Sequence, residues 1–169
     1  MKKILFLVVT LIFSVLIVFS LYSSGNKREV SESFFPRPGE KVEKQNIKAS
    51  FAIFTNNTKR VFTDPKYHNQ SKDAYMEEAN IVIVKKTGTV WDNFFKTLPM
   101  KLTKDCLTTG TGQIFCGDGS GKLRFFINGI EDRDALEKEI KNGDKLLVSY
   151  GSKTEDEIKS ELEQVPTVD

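Results

Sequence analysis

Residues 122–151 constrain the fold of this chain more than any other stretch, because they contain two strand-like segments separated by a turn and a short polar stretch. Residues 122–128 are rich in β-favouring residues, and Asn128 and Gly129 then supply a turn. Residues 146–150 have the composition of a second strand. Together they predict a small folding unit in which two strands are joined by a turn and a polar connection.

An uncharged, mostly apolar run occupies residues 4–22, directly after Lys2 and Lys3. At about 1.5 Å per residue, a helix of this length spans roughly 28 Å, which is close to the thickness of the hydrocarbon core of a bilayer. We therefore predict an uncleaved signal anchor, a transmembrane helix within residues 1–25. The alternative is a cleaved secretory signal, whose apolar region is usually shorter, about 7 to 15 residues, and ends in an A-x-A-like site.

A signal anchor and a cleaved signal would both carry the rest of the chain out of the cytoplasm if Lys2 and Lys3 stay inside. Lys27 and Arg28, on the far side of the run, oppose this orientation under the positive-inside rule, so the cysteines are needed to decide. Residues 26–45 are polar and contain prolines, which predicts a linker that holds a domain away from the membrane. We expect a single-pass protein of the cell membrane with an extracytoplasmic C-terminal domain.

Cys106 and Cys116 flank a turn signal, residues 109–112, which predicts a hairpin of residues 101–108 and 113–116. A turn centred within that signal places the two cysteines opposite each other. Their α-carbons would then lie about 4.5 to 5.5 Å apart, within the range of a disulfide. Disulfides persist outside the cytoplasm, so the predicted bridge and the predicted anchor indicate the same compartment.

The alternation in residues 47–54 predicts a strand, and residues 59–63 are expected to return as the second arm of a hairpin. Residues 64–80 are polar and are interpreted as a surface loop. The apolar run at residues 81–84 is typical of a central strand covered on both faces.

A helix is predicted to follow Thr89, which stands three residues before Asp92 in an arrangement like a capping box. Its apolar side chains recur at helical spacing until Pro99: Val90, Trp91, Phe94, Phe95 and Leu98. An aromatic stripe of this kind could present a ligand platform, but core packing is the favoured interpretation.

Two further helices are predicted towards the C-terminus. The first is a short one over residues 134–140. The second lies in the tail, residues 153–169, where Thr154 and Glu157 form a capping box. Its narrow apolar stripe consists of Ile158, Leu162 and Val165. We expect this tail helix to dock on its own domain rather than on a membrane or a partner helix.

Composition argues against several functions. The 25 basic and 23 acidic residues nearly cancel to a net charge of +2, which gives no reason to expect nucleic acid as a partner. A single histidine, His68, and two cysteines provide neither a Cys/His metal site nor a Ser/His/Asp set. Residues 117–122 fail as a phosphate loop because Cys116 occupies the place of the required glycine. We predict no enzymatic activity, no cofactor, no metal and no catalytic residue.

Four motifs, VWDNFFKTLPMKLTKDC, FC, KLRFFING and GDKLLVSYG, resemble a family of uncharacterised, singly membrane-anchored prokaryotic proteins. The resemblance covers residues 47–151 and implies an extracytoplasmic β-grasp domain of the ubiquitin-like superfamily over residues 46–152, with a mixed α+β sheet packed on one main helix. Members of that family often carry histidine-rich strands before the helix, whereas this chain has His68 alone. The chain also lacks the terminal Gly-Gly of ubiquitin-like carriers, since Gly151 is followed by the tail.

These observations favour a membrane-tethered interaction or binding module without catalytic activity. Its predicted partners are the membrane, through residues 4–22, and an unidentified extracytoplasmic protein. This step depends on fold analogy. Two alternatives remain open: a thiol-disulfide redox protein that uses Cys106 and Cys116, and an assembly factor for a membrane complex.

Overall fold

The computed structural model describes residues 46–117 and 121–168 of the 169-residue chain, and these residues form a mixed α+β fold. The predicted anchor and linker, residues 1–45, and the tip of the glycine-rich connection, residues 118–120, lie outside the described residues. Among the helices of the described ranges, none is long and apolar enough to cross a membrane.

The described elements are mostly short. The strands are β1 (Ile47–Thr55), β2 (Thr58–Lys59), β3 (Ala74–Met76), β4 (Ile81–Val84), β5 (Lys101–Leu102), β6 (Cys106–Thr108), β7 (Ile114–Cys116), β8 (Lys122–Ile127), β9 (Ile130–Glu131) and β10 (Lys145–Gly151). The helices are α1 (Trp91–Phe95) and α2 (Glu155–Leu162), with short 3-10 helices at Pro65–Tyr67 and Ala135–Glu137.

β1 lies at the centre of the larger sheet, whose strand order is β3-β4-β1-β10-β8-β9. It runs parallel to β10, from Ser50 opposite Lys145 to Thr55 opposite Tyr150, and the other strand pairs of this sheet are antiparallel. The middle of the sheet is covered on both faces, which explains why β1 and β10 are almost continuously buried. The cysteine hairpin belongs to a separate sheet of order β5-β6-β7.

One face of the larger sheet is covered by α1. Trp91, Phe94 and Phe95 are buried, and the ring of Phe51 on β1 lies 5.6 Å from that of Phe94 and 5.3 Å from that of Phe95. Edge-to-face contacts of this kind add stability beyond the area that they bury. The prediction that the aromatic stripe is core packing is confirmed.

The other face of the sheet is covered by α2. Ile158 and Val165 pack with Ala52, Phe54, Phe126 and Leu147 from the sheet in a second apolar cluster. The capping box of Thr154 and Glu157 is present at the start of the helix. The predictions of this cap and of a tail docked on its own domain are therefore confirmed.

The interpretation of residues 64–80 as a surface loop was wrong in part. Ala74–Met76 form β3, a buried strand at the edge of the sheet that pairs with β4. Only three residues of this segment pair, too few for an alternating pattern to identify. The expected return strand after β1 is also shorter, Thr58–Lys59, because β4 pairs with the first half of β1.

β4 is a sheet-interior strand, but it is not covered on both faces as predicted. Val82 and Val84 are buried, whereas Ile81 and Ile83 are half-buried. Apolar side chains on both faces of a strand therefore do not mean that both faces are equally buried.

The two helices predicted within the middle of the chain are shorter than expected. α1 begins after Val90 rather than after Thr89. The Thr89 hydroxyl does not cap the helix, because it donates a hydrogen bond to the carbonyl of Lys86 (2.6 Å). The backbone N–H of Val90 instead donates to the side chain of Asn93 (3.3 Å). The helix expected over residues 134–140 is a single 3-10 turn, because the side chain of its N-terminal residue, Asp134, makes no capping hydrogen bond.

Candidate binding cleft beside the cysteine hairpin

Cys106 and Cys116 occupy directly opposed positions on β6 and β7 and are joined by a disulfide. The hairpin and the pairing predicted from the turn signal are present. Side chains alternate across the two strands, so Leu107 is buried against the core while both cysteines are half-buried on the opposite face. The bridge thus holds the hairpin together from its outer side.

The tip of the hairpin is fixed by its own hydrogen bonds. The backbone N–H of Thr109 donates to the carbonyl of Gln113 (2.9 Å), and the N–H of Gly112 donates to the carbonyl of Thr109 (2.9 Å). Gly112 has a φ of +83°, which favours glycine. The hydroxyls of Thr109 and Thr111 lie 2.9 Å apart. These bonds hold the hairpin tip in one conformation, and the tip forms one wall of a cleft.

The opposing wall is the segment that follows β2. Phe62 is buried there, with its ring 5.0 Å from that of Phe51 and 5.1 Å from that of Tyr67. The single histidine has a structural contact here, since Nε2 of His68 lies 2.8 Å from the carbonyl oxygen of Phe62. Hydrogen bonds from Lys66, first from its backbone N–H, lower the pKa of the Asp64 carboxyl, which caps the 3-10 helix.

A cleft of about 190 Å³ lies between these two walls. Its apolar and aromatic lining consists of Ile53, Val61, Phe62, Tyr67, Met100 and Leu107, and its polar lining of Arg60, Thr109 and Thr111, with Gly110 between the two threonines. Sites for drug-sized small molecules usually occupy about 300 to 1,000 Å³. The cleft therefore suits one inserted side chain better than a cofactor.

Gly110 sets how closely the two walls approach. A β-carbon at this position would lie 2.7 Å from the carbonyl oxygen of Pro99 and 3.1 Å from the hydroxyl oxygen of Tyr67. The first distance is far below a normal carbon–oxygen contact, and the backbone oxygen cannot move aside as the end of a side chain could. Glycine is thus required for this arrangement of the cleft.

Arg60 is held at the cleft by two hydrogen bonds and a ring. Its Nε donates to the hydroxyl of Thr55 (2.6 Å) and its Nη1 to Oε1 of Gln113 (3.2 Å), while the guanidinium carbon lies 5.0 Å from the ring centre of Phe115. A guanidinium carries more N–H donors than these two bonds use. In the described part of the chain, no carboxylate forms an ion pair with Arg60. Its charge is therefore available to an acceptor that enters the cleft.

The surface near the cleft also exposes apolar side chains. Val61, which lines the cleft, is 68% exposed, and Ile114, on the outer face of β7, is 67% exposed. Ile130 on β9 is equally exposed, at 73%, but does not line the cleft. Single exposed apolar residues are normal, so only the combination of Val61 with a cavity and a cation distinguishes this region.

The charged clusters elsewhere are internally paired. Arg124 binds both carboxylate oxygens of Glu131 (2.9 and 2.7 Å) and one of Glu155 (3.2 Å). The hydrogen bonds between Arg124 and Glu131 raise the pKa of the guanidinium and lower the pKa of the carboxyl. Across residues 46–117 and 121–168, no group of three or more His, Cys, Asp or Glu residues is arranged to hold a metal ion.

Comparison of the chain with protein-family models, curated proteins and solved structures gives no significant match.

The cleft could not be found from the sequence. Its opposing wall comes from residues 60–67, which have no periodicity, and Arg60 and Tyr67 carry no motif. Gly110 is visible in the sequence only as part of a turn signal, and its close approach to Pro99 depends on tertiary structure. A local pattern cannot report a contact between segments that are far apart in the chain.

Proposed function

We propose that this protein is a membrane-tethered, extracytoplasmic interaction module without catalytic activity, and that it binds a partner protein through the cleft beside the cysteine hairpin. The occupant we propose is an apolar side chain of the partner next to an acidic group. The apolar side chain would fill the cavity, and the acidic group would accept hydrogen bonds from Arg60.

The observation that carries this proposal is the position of Arg60 beside an apolar cavity with no acidic lining residue. A cation held by Thr55, Gln113 and Phe115 is oriented before binding, which reduces the entropy lost when a partner docks. Arginine paired with an apolar pocket is a common centre of protein–protein interfaces. The polar side chains of the lining are those of Arg60, Thr109 and Thr111, a set suited to hydrogen bonding rather than to general acid–base chemistry.

The order of the larger sheet supports the proposal of a β-grasp fold. β1 and β10 are parallel neighbours, β4 and β8 flank them in antiparallel directions, and α1 covers one face. This combination is what the resemblance to singly anchored prokaryotic membrane proteins implies. We propose the anchor at residues 4–22 on the same resemblance and on the apolar run.

The extracytoplasmic location is supported by the disulfide, since such bonds persist in oxidising compartments. A membrane-impermeant thiol reagent tests it in intact cells. We expect Cys106 and Cys116 to be labelled only after treatment with an impermeant reductant. Labelling that needs no reductant but does need permeabilised cells would place free thiols inside and overturn this location.

Site-specific photocrosslinking in native membranes tests the cleft. A photoreactive amino acid at Val61 should give a discrete crosslinked protein band. The same residue at Ile130, equally exposed but away from the cleft, is the matched control. Equal crosslinking from both positions, or none from Val61, would contradict the proposal.

Variants of Arg60 test the charge. Arg60→Met keeps an apolar stem but removes the donors, and it should abolish the Val61 crosslink. Arg133→Met is the control, since the Arg133 side chain is 79% exposed and forms an ion pair with Asp105 (3.3 Å) away from the cleft. A crosslink that survives Arg60→Met would show that the cation does not contribute to binding.

A redox role for the cysteines makes a different prediction. A structural bridge should have a reduction potential below about −300 mV, whereas a working redox pair lies near −200 mV. We expect the former, because a bridge that locks directly opposed strand residues belongs to the fold. A measured value near −200 mV would favour the thiol-disulfide alternative.

A further inference from the structure

Three polar side chains from two distant parts of the chain meet at one end of the larger sheet. Asn57 belongs to the turn between β1 and β2 and has a φ of +67°. Lys153 lies two residues after β10, and Glu161 lies in α2. Nζ of Lys153 donates hydrogen bonds to Oδ1 of Asn57 and to Oε1 of Glu161, the latter at 2.5 Å. The amine therefore contacts an amide and a carboxylate at once.

Lys153 and Glu161 are withdrawn from water to an unusual degree for charged residues. Their side chains are only 3% and 6% exposed. The second oxygen of Glu161, Oε2, is buried and has no hydrogen-bond partner among the described residues. Separated charges are costly in such a buried place, and the direct contact between the Lys153 amine and the Glu161 carboxylate also puts a proton acceptor beside the amine.

The amide of Asn57 is oriented by a second contact. Its Nδ2 donates to Oε1 of Glu157 (3.4 Å), while its Oδ1 accepts from Lys153. The carbonyl carbon Cγ is one covalent bond from Oδ1, so the lysine amine lies next to the atom that a nucleophile would attack. Asn57 is itself exposed, which leaves the amide nitrogen a route to solvent.

We propose that Lys153 and Asn57 form an intramolecular isopeptide bond, promoted by Glu161. Glu161 accepts a proton from the Lys153 ammonium, and the neutral amine attacks Cγ of Asn57. A bond forms between Nζ and Cγ, the bond between Cγ and Nδ2 breaks, and Nδ2 receives both the proton held by Glu161 and the second proton that Nζ loses. The nitrogen leaves as ammonium, Glu161 is again a carboxylate, no electrons are transferred, and no further reactant is needed.

Glu161 is the catalytic residue of this step because it contacts the attacking nitrogen directly. Its unpartnered Oε2 provides a site for the transferred proton within the same buried space. Glu157 acts as a positioning residue, since it contacts the amide nitrogen of Asn57 and holds the carbonyl side towards Lys153.

The crosslink would join positions 96 residues apart and tie the β1–β2 turn to the start of α2. The linked segment contains the cysteine hairpin, so the disulfide would lie inside a larger covalent loop. The start of α2 would then stay fixed to the β1–β2 turn even when the contacts of the helix with Phe54, Phe126 and Leu147 of the sheet open.

Peptide mapping of the full chain tests the proposal. Trypsin cuts after lysine and arginine, so an unmodified chain yields residues 49–59, 146–153 and 154–159 as separate peptides. The isopeptide bond blocks cleavage at Lys153 and joins residues 49–59 to residues 146–159. The joined species should weigh about 17 Da less than the sum of the two peptides, the mass of one ammonia. Separate peptides from folded, disulfide-bonded protein would overturn the proposal.

Two variants distinguish isopeptide bond formation from the contact between Lys153 and Glu161 alone. Lys153→Arg keeps a cation beside Glu161 but removes the nucleophilic amine, and Glu161→Gln keeps the shape but removes the proton acceptor. We expect no joined species from either one, while the Cys106–Cys116 disulfide is retained as the sign of folding. Crosslinking of Glu161→Gln to the same extent as the natural chain would overturn the role of Glu161.

Discussion

Cys106 on β6 and Cys116 on β7 lie directly opposite each other, with their α-carbons 4.2 Å apart. The bridge closes a loop with a sequence separation of 10, which stabilises the fold mainly by restricting the unfolded chain. Replacing both cysteines by alanine should lower the free energy of unfolding by about 2 to 3 kcal/mol. Denaturant unfolding followed by the fluorescence of Trp91, the single and fully buried tryptophan, measures this change. An unchanged midpoint would contradict it.

The core around Phe51 gives a second prediction. Its ring is fully buried and contacts those of Phe62, Phe94 and Phe95. Phe51→Ala should lower the free energy of unfolding by about 3 to 5 kcal/mol, because it removes apolar contacts and leaves a cavity. Val61→Ala, at a 68% exposed position, is the control and should change it by less than about 0.5 kcal/mol. The same fluorescence measurement compares the two, and equal effects would rule out this account of the core.

Strong local signals were enough to predict much of this architecture. The cysteine pairing follows from a glycine-rich turn with cysteines placed symmetrically around it. The spacing of Thr154 and Glu157 predicts the capping box of α2. The parallel pairing of β1 with β10 leaves no local signal, since it joins segments some ninety residues apart.

The errors have a common physical cause. β3 is recognisable only through its pairing with β4, and the 3-10 turn at Ala135–Glu137 lacks the cap that its sequence suggested. The cleft likewise depends on tertiary contacts, with Arg60 held by Thr55 and Gln113. Short segments have weak intrinsic preferences, so tertiary packing decides their conformation.

Gly110 gives a third prediction, which connects stability to the cleft. Gly110→Ala would place a β-carbon 2.7 Å from the carbonyl oxygen of Pro99 and should lower the free energy of unfolding by about 1 to 3 kcal/mol. It should also weaken the Val61 crosslink. Gly117→Ala is the control, since its β-carbon would meet the nearest atom at 3.6 Å, an ordinary contact. Similar unfolding midpoints for both variants would show that the walls of the cleft can relax.

The pair of Arg124 and Glu131 gives a prediction about acid. The pKa of Glu131 is lowered in the folded protein by hydrogen bonds from Arg124, so between this pKa and the unfolded value of about 4.3 the unfolded state binds more protons. The stabilisation is fully present above the unfolded pKa and is lost as the pH falls through the folded pKa. Glu131→Gln should therefore flatten the loss of stability as the pH falls below about 4.3. The effect should be small, because the Glu131 side chain is 51% exposed, and an unchanged pH profile would contradict it.

The last prediction concerns the second face of the sheet. Ile158 on α2 is 2% exposed and belongs to the same apolar cluster as Phe54, Phe126 and Leu147. Ile158→Ala should lower the free energy of unfolding by about 2 to 5 kcal/mol, because the cavity lies between an eight-residue helix and a rigid sheet. Lys159→Ala, on the exposed side of the same helix, is the control. Tryptophan fluorescence reports global unfolding, and protease cleavage after residue 152 reports detachment of α2 alone. Ile158→Ala should increase this cleavage, and a rate equal to that of Lys159→Ala would contradict the prediction.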